Sequence, residues 1–400
     1  MTAYLGGLCS SALSFIFIVF AIGSLGYLVG GIKIKGIELG TAGVLLIALL
    51  YGILINNIPS FTAGGTEITL WSAGIKAKFG TVSNIGTALF VTAVGLIAGP
   101  KFFRSFNRKT LAYIVLGVVI IAIGAGTAIL FTVIDKDLSA EMAVGLLTGG
   151  LTSTPGLSAA KEVAGEAADA VVAGYGIAYT FGVLGVVLFV QLLPKILKVN
   201  MVEEVANFQA ANTIQIPEPK GRLVPLDPFG FFPFFLAVAI GCLIGTIKIP
   251  GINFSLGNSG GCLIGGLLIG HFAHIGKIDC RITKDTLNFM RELGLVLFLI
   301  GAGVPGGVNF ISEFKVSFFI YGAVMTLVPM IVGYIIARYV FKLSILNNLG
   351  SITGGMTSTP ALGTLIATAG TDEVSSAYAA TYPFALVSVV LAAKIIVMLF

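Results

Sequence analysis

Charge is what this chain has least of. Of its 400 residues, 23 are Lys or Arg and 18 are Asp or Glu, together 10% of the sequence, where a soluble domain carries about 25%. So few charges cannot cover the water-facing surface of a soluble protein of this length. The roughly three soluble domains that 400 residues would suggest are excluded. Cysteine is scarce too. Cys9, Cys242, Cys262 and Cys280 show no CxxC spacing, which argues against a metal site or a cofactor held by thiolates. No basic cluster is interleaved with aromatics, so the net charge of +5 does not describe a nucleic-acid surface. The N-terminus lacks the basic start of a signal peptide, and Ser11–Leu28 is read as a mature span.

The missing charges leave long gaps. No Asp, Glu, Lys or Arg occurs from Ser10 to Ile32, Leu39 to Thr66, Phe79 to Pro100, Thr110 to Ile134, Met142 to Ala160 or Ala170 to Pro194. The same holds for Pro228 to Ile247, Leu293 to Ser312 and Val316 to Ala337. A bilayer takes about 20 apolar residues per helix, so the sequence predicts an all-α polytopic membrane protein with about ten spans. The 53 glycines suit close helix contacts and broken helices in such a setting.

An internal repeat organises the chain. Residues 148–157 read TGGLTSTPGL and residues 353–362 read TGGMTSTPAL, identical at eight of ten positions. Tyr175 and Tyr179 match Tyr378 and Tyr382. Upstream, Gly86, Gly95 and Gly99 match Gly294, Gly303 and Gly307, and Gly30, Lys33 and Gly36 match Gly245, Lys248 and Gly251. Four blocks in one order divide the chain into a membrane repeat at 1–195, a polar linker at 196–227 and a second repeat at 228–400, with a short amphipathic helix near Val202–Phe208 in the linker. Basic residues set the orientation. If each half crosses five times and its Gly/Thr/Pro-interrupted segment enters and leaves on one side, 16 Lys and Arg face the cytoplasm and six face outward. The halves are then inverted, both termini are external, and the linker is cytoplasmic. Lys394 is expected to snorkel outward from the last span. The interrupted segments could also be crossing broken helices, and both shapes stay open at this stage.

The interrupted segments carry the chemistry. Gly149-Gly150 and Gly354-Gly355, followed by β-branched Thr and then Pro, make a poor continuous helix. Each is expected to end a helix near the glycines, to expose an extended strip and to start a new helix at the proline, with Thr154 as N-cap. Thr152, Ser153, Thr154 and Pro155, with Thr357, Ser358, Thr359 and Pro360, would then offer hydroxyls and helix N-termini to an anion. Backbone broken at membrane depth survives only where it lines a cavity or a site, and inverted repeats with broken helices are a common plan of secondary transporters. Tyr179 and Tyr382 could reach the same place. Asn56-Asn57 and Asn84 read as helix caps. Gly301–Gly306 fits GxGxxG but lies in an apolar span, where helix packing is the reading.

The paired GGxTSTPxL segments and LFVTAVGLIAG at 89–99 resemble the aspartate:alanine exchanger family of bacterial carboxylate and amino-acid transporters. The two-repeat plan is also similar to the sodium/glutamate symporters. The resemblance implies a small anionic or zwitterionic substrate, a bacterial inner membrane, a homodimer, and no cofactor beyond sodium as a coupling ion near the broken helices. Larger members of the exchanger family carry cytosolic domains between the repeats, which this chain lacks. An anion channel is the alternative, and an intramembrane enzyme a weaker one, since no Asp, Glu or His stands in mid-span. The absence of such residues favours exchange or sodium coupling over a proton relay. The TSTP segments and the helices holding them are expected to move as one body, with Gly95–Gly99 and Gly303–Gly307 at its sliding boundary.

Overall fold

A computed structural model describes residues 14–34, 37–38, 40–63, 66–102, 111–199, 204, 223–249, 254–255, 257–370 and 374–400. The expected helix near Val202–Phe208 and most of the linker lie outside these residues. Fourteen helices are described. In the first half they are α1 (Phe15–Gly30), α2 (Ala42–Asn57), α3 (Ala73–Phe102), α4 (Leu111–Ile134), α5 (Ala140–Gly150), α6 (Thr154–Ala164) and α7 (Ala168–Ile196). The second half repeats the order with α8 (Phe231–Thr246), α9 (Gly257–Phe272), α10 (Lys284–Glu313), α11 (Val316–Ile335), α12 (Ile345–Gly355), α13 (Thr359–Ala369) and α14 (Ser375–Leu399). The protein is an all-α polytopic membrane protein.

Six helical stretches are long and apolar enough to cross a bilayer, within α3, α4, α6–α7, α10, α11 and α14. The other four, α1, α2, α8 and α9, have 16 residues each. Each rises about 24 Å, short of a hydrocarbon core of about 30 Å. Among the described residues, six of the ten expected spans thus reach full length and four are shorter helices. The short helices pair through glycine. A Cβ on Gly26 or Gly43 would strike the backbone of the other helix of the α1–α2 pair, and Gly241 and Gly261 do the same for α8 and α9. Their outer faces carry exposed apolar side chains such as Phe20, Leu28, Phe235 and Leu243, as a lipid-facing surface does.

Short antiparallel ribbons that hydropathy does not announce link the helices: Lys33–Ile34 with Ile37–Glu38, Ser60–Ala63 with Thr66–Thr69, and Lys248–Ile249 with Phe254–Ser255. Helix α3 begins at Ala73, before the charge-free run does, because Lys76 is satisfied there by Asp169 at 2.6 Å. Asn84 is accordingly exposed in mid-helix and caps nothing, whereas Asn57 Nδ2 does donate back to the Ile53 carbonyl at 2.9 Å.

Contacts fix the course of the interrupted segments. Gly145 packs on Val171, and Gly149 on Tyr175 and Ala178, so α5 and α7 run side by side in one direction. Helix α6 then returns: Ser158 meets Thr87 and Lys161 meets Ser83, nearer the start of α3. The pair is a hairpin. In the second half Gly350 packs on Val374 and Ala377, and Gly354 on Tyr378 and Thr381, so α12 runs alongside α14 and α13 leads back to its start. The mouth of the first hairpin lies at the end of α4, where Asp135 and Asp137 meet Tyr321 and Lys315 at 3.0 Å each. The mouth of the second lies at the start of α4, where Tyr113 donates to Asn347 at 2.8 Å. Helix α4 is one continuous helix, so the two mouths lie at its opposite ends.

The helices sort into two sets by their packing. In one, α3 packs on α9 and α10, α10 on α2, α1 on α2 and α8 on α9. In the other, α5 and α6 pack on α7, α4 and α12 on α14, and α11 on α7 and α4. Gly95 and Gly99 face α9, and Gly303 and Gly307 face α2. These glycines therefore tighten the first set internally and do not form its boundary with the hairpins. At that boundary stand Gly176 against Leu49 and Gly306 against Val172.

Candidate functional site at the hairpin tips

The break in each hairpin is three residues long, Leu151–Ser153 and Met356–Ser358, and not an extended strip. After Gly150 the Thr152 N–H returns to the Gly149 carbonyl at 2.9 Å and the Ser153 N–H to the Thr148 carbonyl at 2.7 Å. The second copy repeats this from Thr357 to Gly354 and from Ser358 to Thr353, at 3.0 Å each. This paired closure of a helix end normally puts glycine in the left-handed position. Here threonine occupies it twice, with φ of 54° at Thr152 and 51° at Thr357. A β-branched residue there is strained, and strain of this kind collects at functional sites.

The residue after the strained threonine starts the returning helix. Ser153, not Thr154, is the N-cap: its Oγ accepts from the Gly156 N–H at 3.3 Å, as Ser358 Oγ does from the Ala361 N–H at 3.4 Å. Thr154 is the first helical residue and Pro155 the second. This changes what the N-terminus of α6 can offer. The Gly156 and Leu157 amides are taken by Ser153, Pro155 has none, and the Thr154 amide is left with the dipole of the helix behind it. The anion receptor is thus narrower than a row of open amides.

The tips meet. The Thr152 hydroxyl donates to the Met356 carbonyl at 3.3 Å, and the Thr357 hydroxyl donates to the Leu151 carbonyl at 3.2 Å. Each hairpin thereby satisfies the first carbonyl of the other's break. Thr326 on α11 adds a bond to the Gly150 carbonyl at 3.1 Å. Thr148 to Ala160 are buried without a break, so the irregular backbone is sealed in protein, as membrane depth requires.

The tyrosines flank this point in two stacks, Tyr175 with Tyr179 at 4.8 Å and Tyr378 with Tyr382 at 4.9 Å between ring centroids. The hydroxyl that reaches the tip is that of Tyr175, 3.3 Å from Thr154 Oγ1, while Tyr179 stacks behind it. Thr359 and Pro360 form the first turn of α13, and their side chains lie outside the described part of the structure. Glycines 149, 150, 354 and 355 end the outgoing helices and accept the close approach of Tyr175, Thr326, Tyr378 and Ile120.

Lys394 does not snorkel. It is buried and sits 3.5 Å from Glu162, because α6 covers α14 and brings the acid with it. Glu162 also accepts from the Asn258 amide and from Ser259 Oγ at 3.0 Å, at the start of α9. Sequence reading missed this group and Lys161, since both residues stand where a charge-free run ends and look like loop charges. The lone Thr326 in the apolar α11 was a readable signal.

Paired broken helices sealed inside a bundle of spans, with hydroxyls and one helix amide at their meeting point, define a membrane transporter. The aspartate:alanine exchanger family, whose membrane part is described as a predicted permease membrane region, matches residues 15–195 and 233–398. The chain belongs to this family. Relatives include an uncharacterized transporter of Bacteroides thetaiotaomicron, 27% identical over 95% of this chain and 97% of its own length. Another is an uncharacterized transporter of Desulfotalea psychrophila, 25% identical over 96% of both. A putative transport protein of Dichelobacter nodosus is 24% identical over 94% of this chain and 96% of its own. These alignments run over 540, 545 and 544 positions against 400 residues here, so each relative carries many positions without a counterpart in this chain. The protein is a multi-pass membrane transporter and not an enzyme.

Proposed function

We propose that this transporter is a secondary carrier for a small carboxylate or amino acid, such as aspartate, alanine or a dicarboxylate. It works by exchange or by symport with an ion such as sodium. The observation that carries the reading is the meeting of two hairpins whose mouths lie at opposite ends of α4, each donating a threonine hydroxyl to the other. A site between them faces neither side permanently, so access must alternate. The hairpins with α4, α7, α11 and α14 form the carrying body of an elevator-like movement. The helices α1–α3 and α8–α10 form the static scaffold, through which two copies associate in a bacterial inner membrane. Thr152, Ser153, Thr154 and Pro155, with their counterparts Thr357, Ser358, Thr359 and Pro360, hold the substrate, and Tyr179 and Tyr382 back it. Both termini are external and the linker is cytoplasmic.

The test is uptake into proteoliposomes preloaded with unlabelled aspartate, alanine or succinate, with and without sodium. Thr154→Val and Thr359→Val keep the branched shape and remove one hydroxyl each. A hydrogen bond to a charged group is worth roughly 1.5–3 kcal/mol, so affinity is expected to fall about tenfold or more in each. Wild-type kinetics in both variants would make the tips structural kinks. Uptake that never saturates and shows no stimulation by counter-substrate would point to a channel.

A further inference from the structure

The returning arm of the first hairpin carries polar groups that the tip does not use. Thr154, Ser158 and Lys161 stand at i, i+4 and i+7 on α6, on one face of the helix. Ser158 Oγ donates to Thr87 Oγ1 at 3.2 Å. Lys161 Nζ donates to Ser83 Oγ at 3.1 Å and lies 5.5 Å from the centroid of the Phe298 ring. Ser83 and Thr87 are one turn apart on α3, and both are buried. Hydroxyls on both helices therefore line the seam between α6 and α3 from Lys161 back to Ser158, one turn from Thr154 at the tip. The Cα atoms of Thr154 and Lys161 are about 10 Å apart along the axis. Helical side chains lean toward the N-terminus of their helix, so the ammonium stands nearer the tip than that.

Among the described residues no carboxylate stands within ion-pair distance of Lys161, although the charge of Asp169 acts on it from further off. Asp169 is held by Lys76 at 2.6 Å, and Glu162 faces Lys394 and the start of α9. An ammonium has three protons to donate; here one hydroxyl and one ring face answer them. Unpaired charge inside a membrane protein is costly, and where it occurs it marks a substrate or ion path. The repeat adds a second observation. The offset that aligns Gly86 with Gly294 aligns Ser83 with Arg291, and the offset that aligns the tips aligns Lys161 with Ile366. The second hairpin thus has no counterpart of Lys161, and Arg291 on α10 pairs with Glu292 at 2.9 Å.

We propose that Lys161 sets the charge class of the substrate: it receives the carboxylate of a dicarboxylate that the tips do not hold. This rests on the carrier reading above. In proteoliposomes of the full chain, Lys161→Gln is expected to raise the KM for labelled succinate at least tenfold while leaving that for alanine within twofold. Lys161→Arg is expected to keep most of the succinate affinity. Ser158→Ala removes a seam hydroxyl without touching a charge and is expected to raise the succinate KM at least threefold, which keeps the test open should Lys161→Gln fail to fold. Unchanged succinate kinetics in these variants, or equal losses for succinate and alanine, overturn the assignment while wild-type uptake leaves the carrier reading intact. A wild-type protein that moves alanine alone overturns the assignment as well, and one that moves neither overturns the carrier reading with it.

Discussion

Thr152 and Thr357 hold the most informative backbone in the molecule. A left-handed conformation costs a side-chain-bearing residue roughly 1–2 kcal/mol, and each hydroxyl bond across the tips returns about 1 kcal/mol. Thr152→Gly removes both terms, and its melting temperature is expected to stay close to wild type. Thr152→Val keeps the strain and loses the bond, and should melt lower than Thr152→Gly; the reverse order in thermal unfolding of purified protein would show that the hydroxyl bond carries no weight. The TSTP repetition made these residues legible as a break, because Gly-Gly and Pro bracket them. Their left-handed backbone was not legible, since threonine is the wrong residue for it and only the neighbouring hairpin explains its use. A second residue acts through its charge. Asp227 accepts from the Phe232, Phe231 and Phe229 amides, each at 2.9 Å, and these bonds hold its carboxyl below the usual carboxylate range. With a depressed folded value, its contribution is present above the unfolded pKa and lost as pH falls through the folded one. Acidification should therefore lower the melting temperature of wild type more than that of Asp227→Asn.

The helices explain why glycine is so abundant. Gly86 on α3 and Gly294 on α10, matched by the repeat, lie against each other, and a Cβ on either would meet backbone of the other helix. Gly86→Ala and Gly294→Ala are each expected to cost about 1–3 kcal/mol. Gly126 on α4 faces open space, and Gly126→Ala should be neutral or stabilising by up to about 1 kcal/mol. Equal melting temperatures for all three would contradict the crossing. The seam between α6 and α3 is where the carrying body would pass the scaffold. Cysteines placed at Ser158 and Thr87, whose oxygens are 3.2 Å apart, should form a disulfide that stops uptake until it is reduced. Full-rate uptake while cross-linked would rule out sliding at this seam. The order of elements could be read from gaps in the charge, but their ends could not. Lys76 and Lys161 sit inside helices because Asp169 and Ser83 meet them, and partners 93 and 78 residues away leave no local trace.

At the scale of the whole chain, the bias of basic residues predicts that the end of α7 is cytoplasmic. A cysteine at Lys198 should resist an impermeant thiol reagent in sealed cells and react once the membrane is opened; labelling from outside would invert the orientation. The two halves are also not independent bodies. Helix α6 rests on α14, and α13 rests on α7, so each returning arm lies against the last helix of the other half. For a chain made from its N-terminus this sets a timetable. When α5 to α7 leave the ribosome, the Met356 carbonyl that Thr152 requires and the helix that will cover α6 are about 200 residues from being made. At roughly 5–20 residues per second the gap lasts on the order of tens of seconds. Throughout it, half a transporter waits in the bilayer with a bent, unsealed hairpin, and the insertion machinery, not the protein, has to keep lipid and water away from it.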